Sequence, residues 1–535
     1  MGLTQQAGPS PTPTGLAEPL PPATRVPTPT PQSLPAPPLS DAPWLVYCSD
    51  GLGQSVLVAA DGQNQVPLGW SDCIWHEAAA PARGYAAVQA RGRDAGGIQL
   101  VQFPGAEVPR MLPIQGEVSW SPGGRYLAIF SRGDDSSSAI YVYDLELDHL
   151  REVARHAFEL YFSGWSPDGK WIVYAVERST VAPPLGELWA VTSDGAVNLR
   201  LYEVDSGDYP GDFIQGWLSE VSFVASRAVE FCHLAMMHVN LVTRSATMLV
   251  AGHGEVAVDP ETDTILFEST SMLCAGAEEP GVYRMTAAGG WRPQLLIPES
   301  EDLQPDLTAW IPELRRFSVC QRGVSAEGQD HALLTPAGVP QFWFACGEQL
   351  IPSPDGRRAL LVNRQAKTVK LFDASTGEVT ELGQLAVRQA VWLPDSEGYF
   401  VLTDKGDVYR SPLSDWGPPQ LQSRGADPSW PLFIMQPATR LYWQACEGAA
   451  FSRLAVGDRA EVSEATPTAN RLRDAPGLQA GRSLGLIAPG EGLVVLEGPA
   501  CSDGLVWWRV RVATSGLEGW TAEGDMAGAW LLPSP

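Results

Sequence analysis

The chain runs to 535 residues, enough for two domains and a substantial core, and its 44% hydrophobic content excludes wholesale disorder. Thirty-six basic against 62 acidic residues leave a net charge of -26. Such a field repels phosphate backbones and anionic lipid, so nucleic acid and membrane surfaces are excluded as expected partners, and the charge itself reads as solubility.

The first segment, residues 1–43, carries Pro-Thr-Pro-Thr at 11–14, Pro-Thr-Pro-Thr-Pro at 27–31 and Pro-Ala-Pro-Pro at 35–38. A run so poor in donors, with no apolar face to pack, stays in extended polyproline II and reads as a stalk or linker, or as an arm that grips a partner. No hydrophobic signal region precedes it, which reads as a chain written from a processed or truncated start. No later run approaches the roughly 18 apolar residues of a membrane span, so the chain is not expected to be membrane-spanning.

From about residue 72 a repeat takes over. Its clearest copies are Trp120-Ser-Pro-Gly-Gly-Arg-Tyr-Leu-Ala-Ile-Phe130, Trp165-Ser-Pro-Asp-Gly-Lys-Trp-Ile-Val-Tyr-Ala175 and Ile351-Pro-Ser-Pro-Asp-Gly-Arg-Arg-Ala-Leu-Leu-Val362. Serine accepts a backbone hydrogen bond, proline presets the next position, and Asp-Gly completes a type I turn. The β-branched and aromatic residues that follow predict a buried strand, and a second hairpin such as Ala139–Leu145 makes about four strands per unit. Turn prolines at 81, 122, 167, 260, 312, 354, 394 and 437 stand 41, 45, 93, 52, 42, 40 and 43 residues apart. The interval of 93 holds one unit without its proline, starting near Trp217. A four-stranded unit every 40 to 50 residues predicts a β-propeller. Eight units are complete, and strands at 44–68 and 431–446 are expected to close the ring from both chain ends, for eight or nine blades. That closure leaves no open sheet edge.

These Trp-Ser-Pro-Asp-Gly units resemble TolB-like (WD40-like) propeller repeats, which also occur in the propellers of prolyl-oligopeptidase-like enzymes. The resemblance covers about 400 residues and implies fold rather than function, because such propellers serve as scaffolds, platforms and substrate gates.

From about Val462 the pattern changes to Asn470-Arg-Leu-Arg473, Ala475-Pro-Gly477, Gly485-Leu-Ile-Ala-Pro-Gly490, Trp507-Trp-Arg-Val510 and Gly519-Trp-Thr-Ala-Glu523. This resembles the bacterial SH3-like domain. The expected organisation is all-β: a stalk at 1–43, a large propeller at 44–450 and a small SH3-like β-barrel at 460–535. Strand alternation puts Trp508 on the core side with Val510 and Val512, leaving Trp507 as the exposed aromatic. Trp507 is thus the candidate ligand contact, with Arg473 or Asp503 to orient polar groups. The resemblance implies a cell-wall or polysaccharide ligand.

Eight cysteines occur singly, without a C-x-x-C pair, which argues against zinc and thioredoxin-type chemistry and permits disulfides in an oxidising compartment. Cys320 with Cys346, and Cys446 with Cys48 or Cys501, are the expected pairs, against free buried thiols. The seven histidines show no metal motif, and His253, alone beside glycines, reads as polar loop surface. The acidic stretch from Asp205 to Asp212 lacks the ligand spacing of a calcium loop and reads as a connector. No metal or cofactor is expected. There is no α/β pattern to seat a hydrolase. The sequence therefore reads as a non-enzymatic binding or scaffold protein of a bacterial surface or periplasm, with a protein or cell-wall partner. Two alternatives stand beside it: a propeller enzyme acting on extracellular glycan or peptide, and a structural subunit of an extracellular assembly.

Overall fold

A computed structural model describes residues 43–534 apart from 50–53, 60–64, 68–78, 90–96, 104–109, 134–136, 178–184, 206–213, 230–232, 270–278, 301–302, 324–330, 412–417, 431, 439–441, 466–467 and 527. The Pro/Thr-rich arm, most of the acidic stretch after Asp205, Cys232 and Cys274 lie outside the described residues.

The repeat chemistry forms as its residues dictate. In the turn after Trp165, Ser166 Oγ accepts from Trp171 N at 2.9 Å and donates to Asp168 Oδ1 at 2.6 Å, while Gly169 N donates to Ser166 O at 2.9 Å. Ser353 repeats the arrangement, with Arg358 N on Oγ at 3.0 Å and Oγ on Asp355 Oδ1 at 2.7 Å. Gly356 closes that turn at φ +66°, and a Cβ there would stand 1.9 Å from Glu313 O on the neighbouring unit, so only glycine fits. The tryptophan before the turn ties one unit to the last: Trp165 Nε1 donates to Ser119 O at 3.3 Å and Trp392 Nε1 to Ile351 O at 2.9 Å.

Each unit becomes one four-stranded antiparallel sheet, and the described residues make nine of them. Eight are continuous in sequence. Blade 1 spans Ala79–Ala80 to Arg110–Leu112, blade 2 Glu117–Trp120 to His149–His156, and blade 3 Leu160–Trp165 to Asn198–Asp205. Blade 4 runs from Ile214–Ser219 to Ser245–Ala251, blade 5 from Val256–Asp259 to Gln294–Pro298, and blade 6 from Leu303–Ile311 to Pro340–Phe344. Blades 7 and 8 run from Glu348–Pro352 to Val379–Gln384 and from Val387–Trp392 to Gln420–Ser423. Blade 4 is the unit that lacks its turn proline. The ninth blade is composite: Trp44–Ser49, Gln54–Ala59 and Gln65–Pro67 are joined by Phe433–Met435, with Trp44 opposite Met435 and Val46 opposite Phe433. The expected closure by both chain ends is present, and the described residues form nine blades.

Apolar clusters join each blade to the next, all the way round. Leu45 and Ile434 pack with Phe400 and Leu402 on one side of the composite blade, and Val46 and Met435 with Ala86 and Val101 on the other. The remaining seven junctions are filled in the same way, for example by Ile172 and Tyr174 against Ile140 and Val142. The core is therefore a ring of inter-blade seams, and each seam removes several fully buried aliphatic or aromatic side chains from water.

Beyond the ring lies a seven-stranded antiparallel sheet. Its order is Ser483–Ile487, Asn470–Arg473, Glu518–Ala522, Leu505–Val512, Gly492–Ser502, Arg459–Val462, Leu531–Pro533. Val506, Trp508, Val510 and Val512 point into its core together with Trp443, Cys446 and Leu454, so the chain leaving the ring packs on this sheet.

Candidate functional site between the ring and the C-terminal sheet

The three residues singled out in the sequence are not brought together. Trp507 is 2% exposed, packed with Ala500, Leu505 and Ala522 beneath Trp520 and Trp530, and its Nε1 donates to Ser502 O at 3.1 Å. The expected exposure of Trp507 is corrected: it does face away from the Trp508 core, but a second apolar cluster covers that side. Arg473 is buried and its Nη1 donates to Gly481 O at 2.9 Å. Asp503 accepts from Leu478 N at 2.6 Å. Both residues therefore pin the 474–482 loop, one from each side.

The groups that do converge come from four separate stretches. Just past the ring, the side-chain amide of buried Gln102 on blade 1 accepts from Tyr442 N at 2.6 Å and donates to Tyr442 O. Further along, a disulfide joins Cys446 to Cys501 of the C-terminal sheet, and Trp443 Nε1 donates to Leu454 O at 3.2 Å. The segment 442–454 is thus fastened at one end to the ring and at the other to the sheet. Between them lies a cavity of about 280 Å³, walled on the ring side by Arg110, Met111 and Asp148 and on the other by Phe451, Arg453, Val506 and Glu523.

Charge is concentrated in this cavity. Asp148, at the turn before the last strand of blade 2, stands 3.2 Å from Arg110 Nε and 3.2 Å from Arg453 Nη2. Its Oδ1 also accepts from Tyr143 Oη at 2.5 Å. The Arg453 guanidinium lies over the Tyr442 ring, 4.3 Å from its centre, and its side chain is 5% exposed. Burial disfavours its charge, but Tyr442 and Asp148 more than offset this, and it stays cationic at any working pH. Burial pushes the Tyr442 hydroxyl up to about 12 and raises Tyr143 as well, so both remain neutral donors. Glu523, on the sheet, accepts from Ser452 Oγ at 2.6 Å, Arg453 N at 2.7 Å and Trp508 Nε1 at 2.8 Å. Burial raises its carboxyl despite these three donors.

A second polar cluster sits within the ring at blades 4 to 6. His253, expected as polar surface, is 1% exposed. Its Nδ1 is 2.7 Å from Gly254 O and must donate there, which leaves Nε2 to accept from Ser226 Oγ at 3.1 Å. Next to Gly254 the Glu268 carboxyl accepts from Leu307 N of blade 6. Burial, reinforced by the carboxylates of Asp306 and Glu255, pushes Glu268 up to about 7.

Neither cluster was legible as a site in the sequence. Arg110, Asp148 and Glu523 stand at strand ends and Arg453 in the segment between ring and sheet, and no spacing in the sequence joins them.

The fold and this geometry define a β-propeller carrying an appended β-sheet unit. No protein-family model matches the sequence, and no curated protein is significantly similar to it. Solved structures are similar in fold. Dipeptidyl peptidase 4 from Porphyromonas gingivalis is 12% identical, with 65% of this chain and 59% of that one covered and a TM-score of 0.44. An oligogalacturonate lyase in complex with manganese is 13% identical over 66% of this chain and 96% of that one, at a TM-score of 0.37. A TolB-type protein from Agrobacterium tumefaciens is 18% identical over 48% and 88%, at 0.26. The chain spans little more than half the length of the peptidase. Likeness of this degree concerns the fold alone. Because a dipeptidyl peptidase and an oligogalacturonate lyase stand among these structures, the reading of the chain as a protein without enzymatic activity is corrected: the fold supplies no such exclusion.

Proposed function

We propose that this chain is a recognition protein of the bacterial surface or periplasm. In this reading the ring is a rigid platform, and the C-terminal unit, read as an SH3-like module, is fastened to its flank around a ligand pocket. The observation that carries the reading is the cavity between the two units. It is apolar over most of its wall, and Arg110, Asp148, Arg453 and Glu523 converge on it. Pockets of this composition at domain boundaries are where small ligands bind. The disulfides Cys320–Cys346 and Cys446–Cys501, both among the expected pairs, support an oxidising compartment. The edge strand Ser483–Ile487, which leaves Leu484 and Leu486 exposed, is the face this module offers to a cell-wall or protein partner.

The test is equilibrium binding of the full chain to isolated cell envelopes and to purified wall polysaccharide, compared with Ala450→Phe, which fills the cavity. Loss of binding in the filled variant is expected. Equal binding by both forms would move the site off this pocket.

A second reading is catalysis on an extracellular glycan or peptide at the ring. It is supported by Glu268: a carboxyl pushed to about 7 is poised to give and take a proton near neutrality. Turnover of oligosaccharide or peptide substrates that vanishes in Glu268→Gln would establish it, and unchanged turnover would remove Glu268 from the chemistry.

A further inference from the structure

We infer that the pocket between ring and C-terminal sheet takes a carboxylate, carried on a compact apolar group, through the guanidinium of Arg453. This rests on the reading of that pocket as a ligand site and names its ligand class.

The Arg453 side chain is 5% exposed and lines the cavity. Its Nε and Nη2 are fully buried and make no hydrogen bond. Nη2 lies 3.2 Å from Asp148 Oδ2, an ion pair without hydrogen-bond alignment. Those two nitrogens share one edge of the guanidinium, the fork that a carboxylate accepts with both oxygens. A buried arginine whose fork makes no hydrogen bond is costly, and a ligand acceptor is what would repay it.

The neighbouring acceptors are already committed. Asp148 is shared between Arg110 and Arg453 and takes the Tyr143 hydroxyl as well. Glu523 holds three donors, one of which is the backbone of Arg453 rather than its side chain. Tyr442 stacks beneath the cation through its ring face and takes none of the fork's hydrogen bonds. Met111, Ala450, Phe451, Val506 and Ala529 supply the apolar remainder of the wall. At about 280 Å³ the space suits a compact organic acid or the end of a peptide, not a long chain.

The experiment titrates the full chain, by calorimetry and ligand-observed NMR, with benzoate, with its uncharged counterpart benzamide and with inorganic phosphate. Wild type is expected to bind benzoate at least tenfold more tightly than benzamide, with phosphate a poor competitor. Arg453→Gln should remove that difference. Arg453→Lys, which keeps the charge and loses the fork, should weaken benzoate several-fold, with circular dichroism and melting used to verify that each variant is folded. Ala450→Phe should block both organic probes.

Equal binding of benzoate and benzamide, abolished by Ala450→Phe and indifferent to Arg453→Gln, would overturn the carboxylate inference and leave the pocket standing as a ligand site. Displacement of benzoate by phosphate at equal concentration would overturn the assignment to carboxylates. Binding of neither probe at millimolar concentration would overturn both the inference and the pocket.

Discussion

Replacing Glu268 by glutamine separates a buried ionisation from the hydrogen bond that accompanies it. The amide oxygen can still accept from Leu307 N, but the group no longer titrates. In the folded chain the carboxyl is pushed from its ordinary 4.5 up to about 7, so the native state holds this proton more tightly than the unfolded state does. The stabilisation is complete below pH 4.5 and is lost as pH rises through the interval to about 7. At about 1.4 kcal/mol per pH unit the interval amounts to about 3 kcal/mol, and solvent screening brings this to about 2–3 kcal/mol. Glu268→Gln should match wild type near pH 4.5 and exceed its stability by that amount at pH 8. Guanidinium denaturation of both proteins at half-unit steps from pH 4.5 to 8 reads the difference directly. Parallel profiles across the interval would refute the placement of an uncompensated carboxyl at the junction of blades 5 and 6.

Three further outcomes follow from the same geometry. Cys446 and Cys501 close a loop of 55 residues, so replacing both by serine should destabilise the C-terminal unit by about 4 kcal/mol in the chain-entropy model, seen as an earlier denaturation transition of that unit. Ser166→Ala removes the oxygen that accepts from Trp171 N and should cost about 1 kcal/mol in thermal or denaturant unfolding; no change would mean that the turn holds without its serine. Gly356→Ala forces a Cβ onto Glu313 O at positive φ and should cost about 2–4 kcal/mol, whereas a neutral result would show that blades 6 and 7 do not meet there.

What the sequence disclosed depended on how local the chemistry is. The Ser-Pro-Asp-Gly turn is written in consecutive residues, so Ser166 and Ser353 marked their blades, and even blade 4 declared itself by spacing after losing its proline. The blade number stayed between eight and nine because the ninth sheet joins Trp44–Ser49 to Phe433–Met435, a pairing made across nearly the whole ring. Trp507 illustrates a different limit. Alternation along Leu505–Val512 separates it from Trp508, but whether that second side meets water depends on Trp520 and Trp530, which only the curl of the sheet brings over it. The burial of His253 is hidden for a similar reason, since its partner Ser226 lies on the preceding blade hairpin and nothing in the glycine-flanked sequence marks the pairing. The cavity is the extreme case. Asp148, Arg453 and Glu523 are ordinary residues in three distant stretches, and their convergence is a property of how the C-terminal sheet is fastened to blades 1 and 2.

The central claim, a ligand site enclosed between ring and sheet, is tested most directly by an experimental density map of the full chain. The protein would be incubated beforehand with a fraction of cell-envelope extract that it retains. The account predicts ordered density beside the Arg453 guanidinium, bounded by Phe451, Val506 and Glu523. An empty cavity, with the retained ligand seated on a face of the ring or along Ser483–Ile487, would contradict it.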